Sequence, residues 1–281
     1  GRYIMIKVKF YGTRGSISVC GPKFQEFGGN TTCIQITDMK TNRIGIFDAG
    51  TGIRDLGNDL VASGHEQDQI FIVFTHFHWD HIQGFPFFTK AYDPKQKINI
   101  FTMGKGKNND EIKGLFTTLM QSEYFPVPFD KMGASFEFMH PDVLSGIFGP
   151  LQVKITANRH NHPGGAYGYR IEREGKVLVF CTDIEHGDEI DQNVVELCKD
   201  ADLLIHDAQY TSEELKVKKG WGHSSYEQAI QVAEMAGVKQ LAITHHDPDH
   251  DDEFLLGMEK QCQERFPNCV LAREKMEIEI K

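Results

Sequence analysis

Residues 75–81 read Thr-His-Phe-His-Trp-Asp-His, three imidazoles and a carboxylate directly behind the apolar run Ile70-Phe71-Ile72-Val73-Phe74. Side chains two apart on an extended segment point the same way, so His76 and His78 can share one cation. A helix beginning just afterwards would turn Asp80 and His81 toward a second cation beside the first. Neutral imidazole nitrogen and carboxylate oxygen suit zinc, iron or manganese. A polar strand end that is His-rich by accident is the competing explanation. The alternation of ligands behind a buried-strand pattern argues against it.

Further ligands stand at the ends of other apolar runs. His162 follows 151–156, Asp183 closes 177–182, Asp207 closes 201–206 and His245 closes 241–244. The set resembles the metallo-β-lactamase superfamily of hydrolases along nearly the whole chain. The resemblance runs from Gly12-Thr13-Arg14-Gly15-Ser16 through Phe47-Asp48-Ala49-Gly50 and Asp80-His81-Ile82-Gln83-Gly84 to His245-His246-Asp247-Pro248. His206-Asp207-Ala208-Gln209 is similar to a His-Glu-Ala-Thr element, and Gly222-His223-Ser224-Ser225 to a His-Ser-Thr element. Both point to the phosphodiesterase branch that contains tRNase Z.

Carried over by position, the resemblance implies one metal on His76, His78 and His162 and another on Asp80, His81 and His245, with Asp183 bridging. The implied cofactors are two divalent ions, zinc first, with manganese or iron also accepted by such donors. In such sites a hydroxide held between cations about 3.5–4 Å apart attacks phosphorus. His223 is the candidate general acid, with Asp207 bonded to its other nitrogen. Asp80 is assigned to orient the hydroxide, and Asp48 to support a ligand from behind.

The elements that must position these groups follow from the hydrophobic pattern. Strands are expected at 5–11, 33–38, 43–48, 69–74, 97–102, 134–139, 151–157, 166–173, 176–181, 202–206, 240–244 and 275–280. Helices are expected at 52–63, 82–88, 109–120, 191–198, 224–236 and 251–266; the fifth has Ser224-Ser225 as its start and Gly237 as its stop. Pattern alone supports a layered α/β fold in one domain, 1–281. The resemblance narrows this to the αββα four-layer sandwich. Residues 103–134 read either as a lid near the site mouth or as a packed loop.

The 281 residues, 40% hydrophobic, suffice for one large α/β core. No apolar run approaches the about 20 residues a bilayer span needs. The six scattered cysteines, without a Cys-x-x-Cys pair, read as reduced thiols of a cytoplasmic chain, with Cys33, Cys181 and Cys198 packed. The formal net charge of −10 opposes attraction to a long polyanion.

Thirteen histidines exceed what two metals need. His65, His186 and His250 lie in polar stretches and are expected at the surface, and His140, before Pro141, in a loop. His160 could compete with His162, which alone keeps the family's distance to Gly168-Tyr169. His206 should face away from Asp207. His245 is preferred to His246 because it ends the strand. Gly28-Gly29-Asn30-Thr31-Thr32 reads as a phosphate cradle or, more ordinarily, a turn.

Three activities compete. The first is hydrolysis of small phosphodiesters such as cyclic nucleotides. The second is tRNA 3′ processing, but in that branch a Gly/Pro-rich arm lies between the ligands matching His162 and Asp183, where this chain has room only for a hairpin. The third is thioester or lactam hydrolysis, or a metal-binding scaffold without catalysis. Expected partners are a small phosphodiester and no membrane, with long nucleic acid disfavoured; the resemblance is compatible with a homodimer.

Overall fold

The computed structural model describes residues 5–65, 69–103, 108–139, 145–148 and 153–281. His140, residues 104–107 of the expected lid or loop, and residues 151–152 of an expected strand lie outside them. The described residues build two seven-stranded sheets. The first contains β1 (Ile6–Gly12), β2 (Cys33–Asp38), β3 (Arg43–Phe47), β4 (Gln69–Phe74), β5 (Lys97–Thr102) and β6 (Ser135–Met139). The second contains β7 (Ser145–Phe148), β8 (Val153–His160), β9 (Ala166–Arg173), β10 (Lys176–Cys181), β11 (Leu203–Asp207), β12 (Leu241–Thr244) and β13 (Cys269–Leu271); β14 (Glu277–Ile280) returns to pair with β1.

Both sheets begin with three antiparallel pairings and end with three parallel ones, β3–β4–β5–β6 and β10–β11–β12–β13. Ligand groups in such sheets gather beyond the carboxyl ends of the parallel strands. Asp48, His76, Asp183, Asp207 and His245 all come from those ends.

Period-two burial creates the layers. On β10, Val177, Val179 and Cys181 face a core shared with α4 (Gln192–Cys198), α6 (Tyr226–Ala236) and α7 (Asp252–Arg265). Leu178 and Phe180 face the seam between the sheets. On the other side, Ile70, Ile72 and Phe74 of β4 pack against α1 (Ile53–Ala62) and α3 (Asn109–Leu119). Helix, sheet, sheet, helix is the αββα sandwich expected. The seam is apolar, with Phe47 and Phe180 stacked at 4.6 Å, and burying each ring contributes about 1.5–3 kcal/mol. Tyr169 stitches it, donating its hydroxyl to Phe74 O at 2.9 Å and accepting from the Met103 amide.

Most expected elements are present, and the departures have local causes. The helix expected at 82–88 is instead a turn, α2 (Trp79–Ile82), followed by a 3₁₀ segment, Phe85–Phe87, because Gly84 and Pro86 interrupt it. Helix α6 starts as read, with Ser225 accepting from the Gln228 amide, and stops at left-handed Gly237. The short α5 (Ser212–Val217) was not anticipated, although Thr211 and Glu214 form a capping box. Nor was β13, three residues long. Residues 108–134 include the expected helix, α3, and pack through Ile112, Phe116, Met120 and Phe129. The interval 163–182 is the β9–β10 hairpin, turning at Glu174 and Gly175, both at positive φ as a type I′ turn requires.

Candidate metal centre

Strand β4 stops where Asp48 captures it: the Thr75 amide donates to Asp48 Oδ1 and the Thr75 hydroxyl to Oδ2, each at 2.8 Å. The chain then runs extended to His78 before α2 turns Asp80 and His81 inward. Two clusters result. His76 Nε2 and His162 Nε2 lie 3.0 and 3.1 Å from His78 Nδ1, and each lies 3.5 Å from Asp183 Oδ1. His81 Nε2 lies 3.2 Å from both Asp80 Oδ2 and Asp183 Oδ2, while His245 Nε2 is 3.2 Å from the first and 3.3 Å from the second. Asp183 thus offers one oxygen to each cluster.

The spacings and donors fit metal ions. With metal–nitrogen distances of about 2.0–2.1 Å, a tetrahedral shell has ligand–ligand edges of about 3.3–3.4 Å. The observed separations straddle that length. Each ring except His78 also carries a fixed acceptor on its far nitrogen. His81 Nδ1 donates to Asp48, His162 Nδ1 to Gly222 O and His245 Nδ1 to Gln209 Oε1. His76 Nδ1 meets Thr75 Oγ1, whose proton is committed to Asp48. In the neutral rings these bonds hold the Nε2 lone pairs toward the centre. A third group, Asp207, His223 and His245, would need the His245 nitrogen already bonded to Gln209, so it makes a poor cation site.

Charge tells the same story. Burial pushes the pKa of His76, His78 and His162 down, as neutral ligands require. Burial opposes charge on His81 too, but Asp183, Asp80 and Asp48 outweigh it and raise its pKa. His245 is likewise pushed up to about 9 against burial, chiefly by Asp183 and Asp80. Buried Asp183 is held well below the usual carboxylate range by His245, His81 and His76. These carboxylates demand positive charge, which protons on His81 and His245 can supply and divalent ions would supply instead. Asp183 (φ 59°) and His245 (φ 63°) of the clusters, with Asp48 (58°) and Ser16 (67°), hold left-handed backbone, a conformation that costs about 1–3 kcal/mol and clusters at functional sites.

Beside Asp183, His223 Nδ1 donates to Asp207 Oδ2 at 2.7 Å, and that oxygen also accepts the Asp183 amide. His206 points the other way, to His186. His246 donates to Ala272 O, and His160 is buried outside the clusters, whereas His245 and His162 lie within them. Two surface expectations fail. His186 is 8% exposed, stacked on His206, and His250 is 4% exposed, bonded to Tyr226 and Glu214. Their polar sequence neighbours did not reveal the elements that fold over them. His65 is half-buried. Residues 28–32 run as an irregular segment beside Thr13 and Arg14, whose amides both donate to the Asn30 carbonyl.

Sequence reasoning missed Glu185, whose buried carboxylate accepts the amides of Gly220 and Gly222 at 2.8–3.0 Å and so shapes the turn leading to His223. It also missed what Gln209 and Ser16 do. The Gln209 amide bridges His245 and Ser16 Oγ, and the Ser16 amide donates to Asp80. Gly15 must be glycine, because a Cβ there would lie 2.3 Å from His245 Nδ1.

Residues 43–246 match a family model described as the beta-lactamase superfamily domain. The chain belongs to the metallo-β-lactamase superfamily. Ribonuclease Z of Prochlorococcus marinus is 24% identical over 315 residues, covering 90% of this chain and 95% of that protein. Among solved structures, the metallo-β-lactamase fold protein YhfI from Bacillus subtilis superposes with a TM-score of 0.69 at 17% identity, over 98% of this chain and 99% of that one. A diphosphatase from the PhnP family superposes at 0.67 and 17%, over 98% of each chain. These structural likenesses speak to the fold. No helix among the described residues is long and apolar enough to cross a membrane.

Proposed function

We propose that this protein is a metal-dependent phosphodiesterase of small phosphodiesters, cyclic nucleotides among them. The observation that carries the reading is the split of Asp183 between two donor clusters, with Asp207 Oδ2 accepting both the Asp183 amide and His223 Nδ1–H. His76, His78 and His162 with Asp183 Oδ1 would hold one divalent ion, and Asp80, His81 and His245 with Asp183 Oδ2 the other. Two such ions supply Lewis-acid stabilisation of phosphoryl oxygens and a water nucleophile near neutral pH. The protein's own groups do the rest. His223, with Nδ1–H committed to Asp207, presents Nε2 to carry a proton to the departing alkoxide. Asp207 fixes the ring's tautomer and plane. Asp80, held by the Ser16 amide, would orient the nucleophile.

A second reading, tRNA 3′ processing, is favoured by the ribonuclease Z relatives that align over 90% of the chain. Against it stand the bare β9–β10 hairpin where an arm would lie and the net charge of −10. Thioester or lactam hydrolysis would leave the His223–Asp207 pair without its role. A substrate panel in zinc and in manganese separates them: 3′,5′- and 2′,3′-cyclic nucleotides, bis(p-nitrophenyl) phosphate, a precursor tRNA, a lactam and a thioester. Turnover of the small phosphodiesters with tRNA cut far more slowly is expected. Efficient tRNA cleavage with cyclic nucleotides untouched would reverse the order.

A further inference from the structure

The chain has two tryptophans, and both border the metal centre. Trp79 lies between His78 and Asp80 and is 80% exposed; Trp221 precedes Gly222 and His223 and is 61% exposed. The two segments meet through His162, whose Nε2 is 3.1 Å from His78 Nδ1 and whose Nδ1 is bonded to Gly222 O at 2.8 Å. Consecutive Cα atoms are about 3.8 Å apart, so each indole starts one residue from this contact.

Both indoles sit on fixed backbone. Trp79 opens α2, whose next two residues are Asp80 and His81. The Trp221 amide donates to Lys218 O at 3.1 Å, the flanking Gly220 and Gly222 amides are held by Glu185, and Lys218 Nζ lies 4.2 Å from the indole centroid. Indoles left in water forgo the burial that tryptophan contributes elsewhere. Solvent-facing aromatic planes on held backbone beside a phosphodiester site have an evident partner chemistry, since every nucleobase offers a π-face. The charge balance adds weight. Beyond the proposed metal ions, a chain of net charge −10 offers phosphates little long-range attraction, so stacking would add affinity that charge does not supply.

We propose that Trp79 and Trp221 are stacking platforms for unpaired nucleobases borne by the phosphodiester, which makes the substrate class short nucleotides with exposed bases. This rests on the phosphodiesterase reading. Because the chain holds only these two tryptophans, its indole emission reports on them alone.

The test titrates metal-loaded protein with uridine 5′-monophosphate and with ribose 5-phosphate, which shares the sugar phosphate and lacks the base. Saturable quenching by the nucleotide alone is expected. Trp79→Leu and Trp221→Leu should each remove part of the signal and weaken nucleotide binding by about 5- to 100-fold, with kcat/KM for thymidylyl-thymidine falling in step. Equal responses to both ligands, or none while bis(p-nitrophenyl) phosphate is hydrolysed, would overturn the platforms and leave the phosphodiesterase reading intact. Nucleotide-specific quenching without turnover of any phosphodiester would sink that reading and keep base binding. Emission that changes with protein concentration alone, alongside a heavier sedimenting species, would make the indoles a subunit contact and overturn the proposal.

Discussion

His223 Nδ1 lies 2.7 Å from Asp207 Oδ2, and the same oxygen accepts the backbone amide of Asp183 at 3.0 Å. The proposed proton donor and the proposed metal bridge are therefore set by one buried carboxylate. Burial would raise the pKa of Asp207, but His223 beside it holds the carboxyl below its usual range.

If His223 is the general acid, His223→Ala should retain both metals and lose about 10²–10⁴ in turnover on an ester with a poorly acidic alcohol. An ester that releases nitrophenolate hardly needs the proton and should lose much less. Asp207→Asn should show a weaker version of that contrast. Steady-state rates on the two esters, with metal content beside them, decide the matter. Equal losses would make His223 a binding residue, and lost metal would make it a ligand.

Glu185 acts at one remove, through the amides of Gly220 and Gly222. Gly222 O in turn receives His162 Nδ1–H. Glu185→Gln should weaken metal affinity by about 10- to 100-fold, the usual scale for groups that orient a ligand from behind. Metal titration by competition with a chelating dye reads this. Unchanged affinity would show that the turn is held without it.

His186 gives a pH prediction. Burial pushes its pKa down to about 3, whereas the unfolded ring titrates near 6.5. The unfolded state then binds the extra proton between those values, so this group's stability is present above about pH 6.5 and is lost as pH falls toward 3. In chelator-treated protein His186→Gln should gain about 2 kcal/mol relative to the parent between pH 7.5 and pH 5. Urea unfolding at both pH values measures it, and a pH-independent difference would refute it.

Site side chains that cap apolar runs were readable because a strand ends where its hydrophobic alternation ends. His76, Asp183, Asp207 and His245 all follow that rule. His206 and Asp207 separated as period two demands, one toward His186 and the other toward His223. Glu185 was not legible, because its partners lie 35 and 37 residues away and are backbone amides that carry no side-chain signature. The burial of His186 and His250 was hidden for a related reason. Exposure is set by what folds over a residue, and local polarity does not report it.

The central claim is that Asp183 joins two metal positions, and elemental analysis tests it most directly. Purified protein equilibrated with zinc or manganese should carry about two ions per chain, and Asp183→Ala should lose at least one of them together with nearly all phosphodiesterase activity. Two ions retained with normal turnover in that variant would contradict the account.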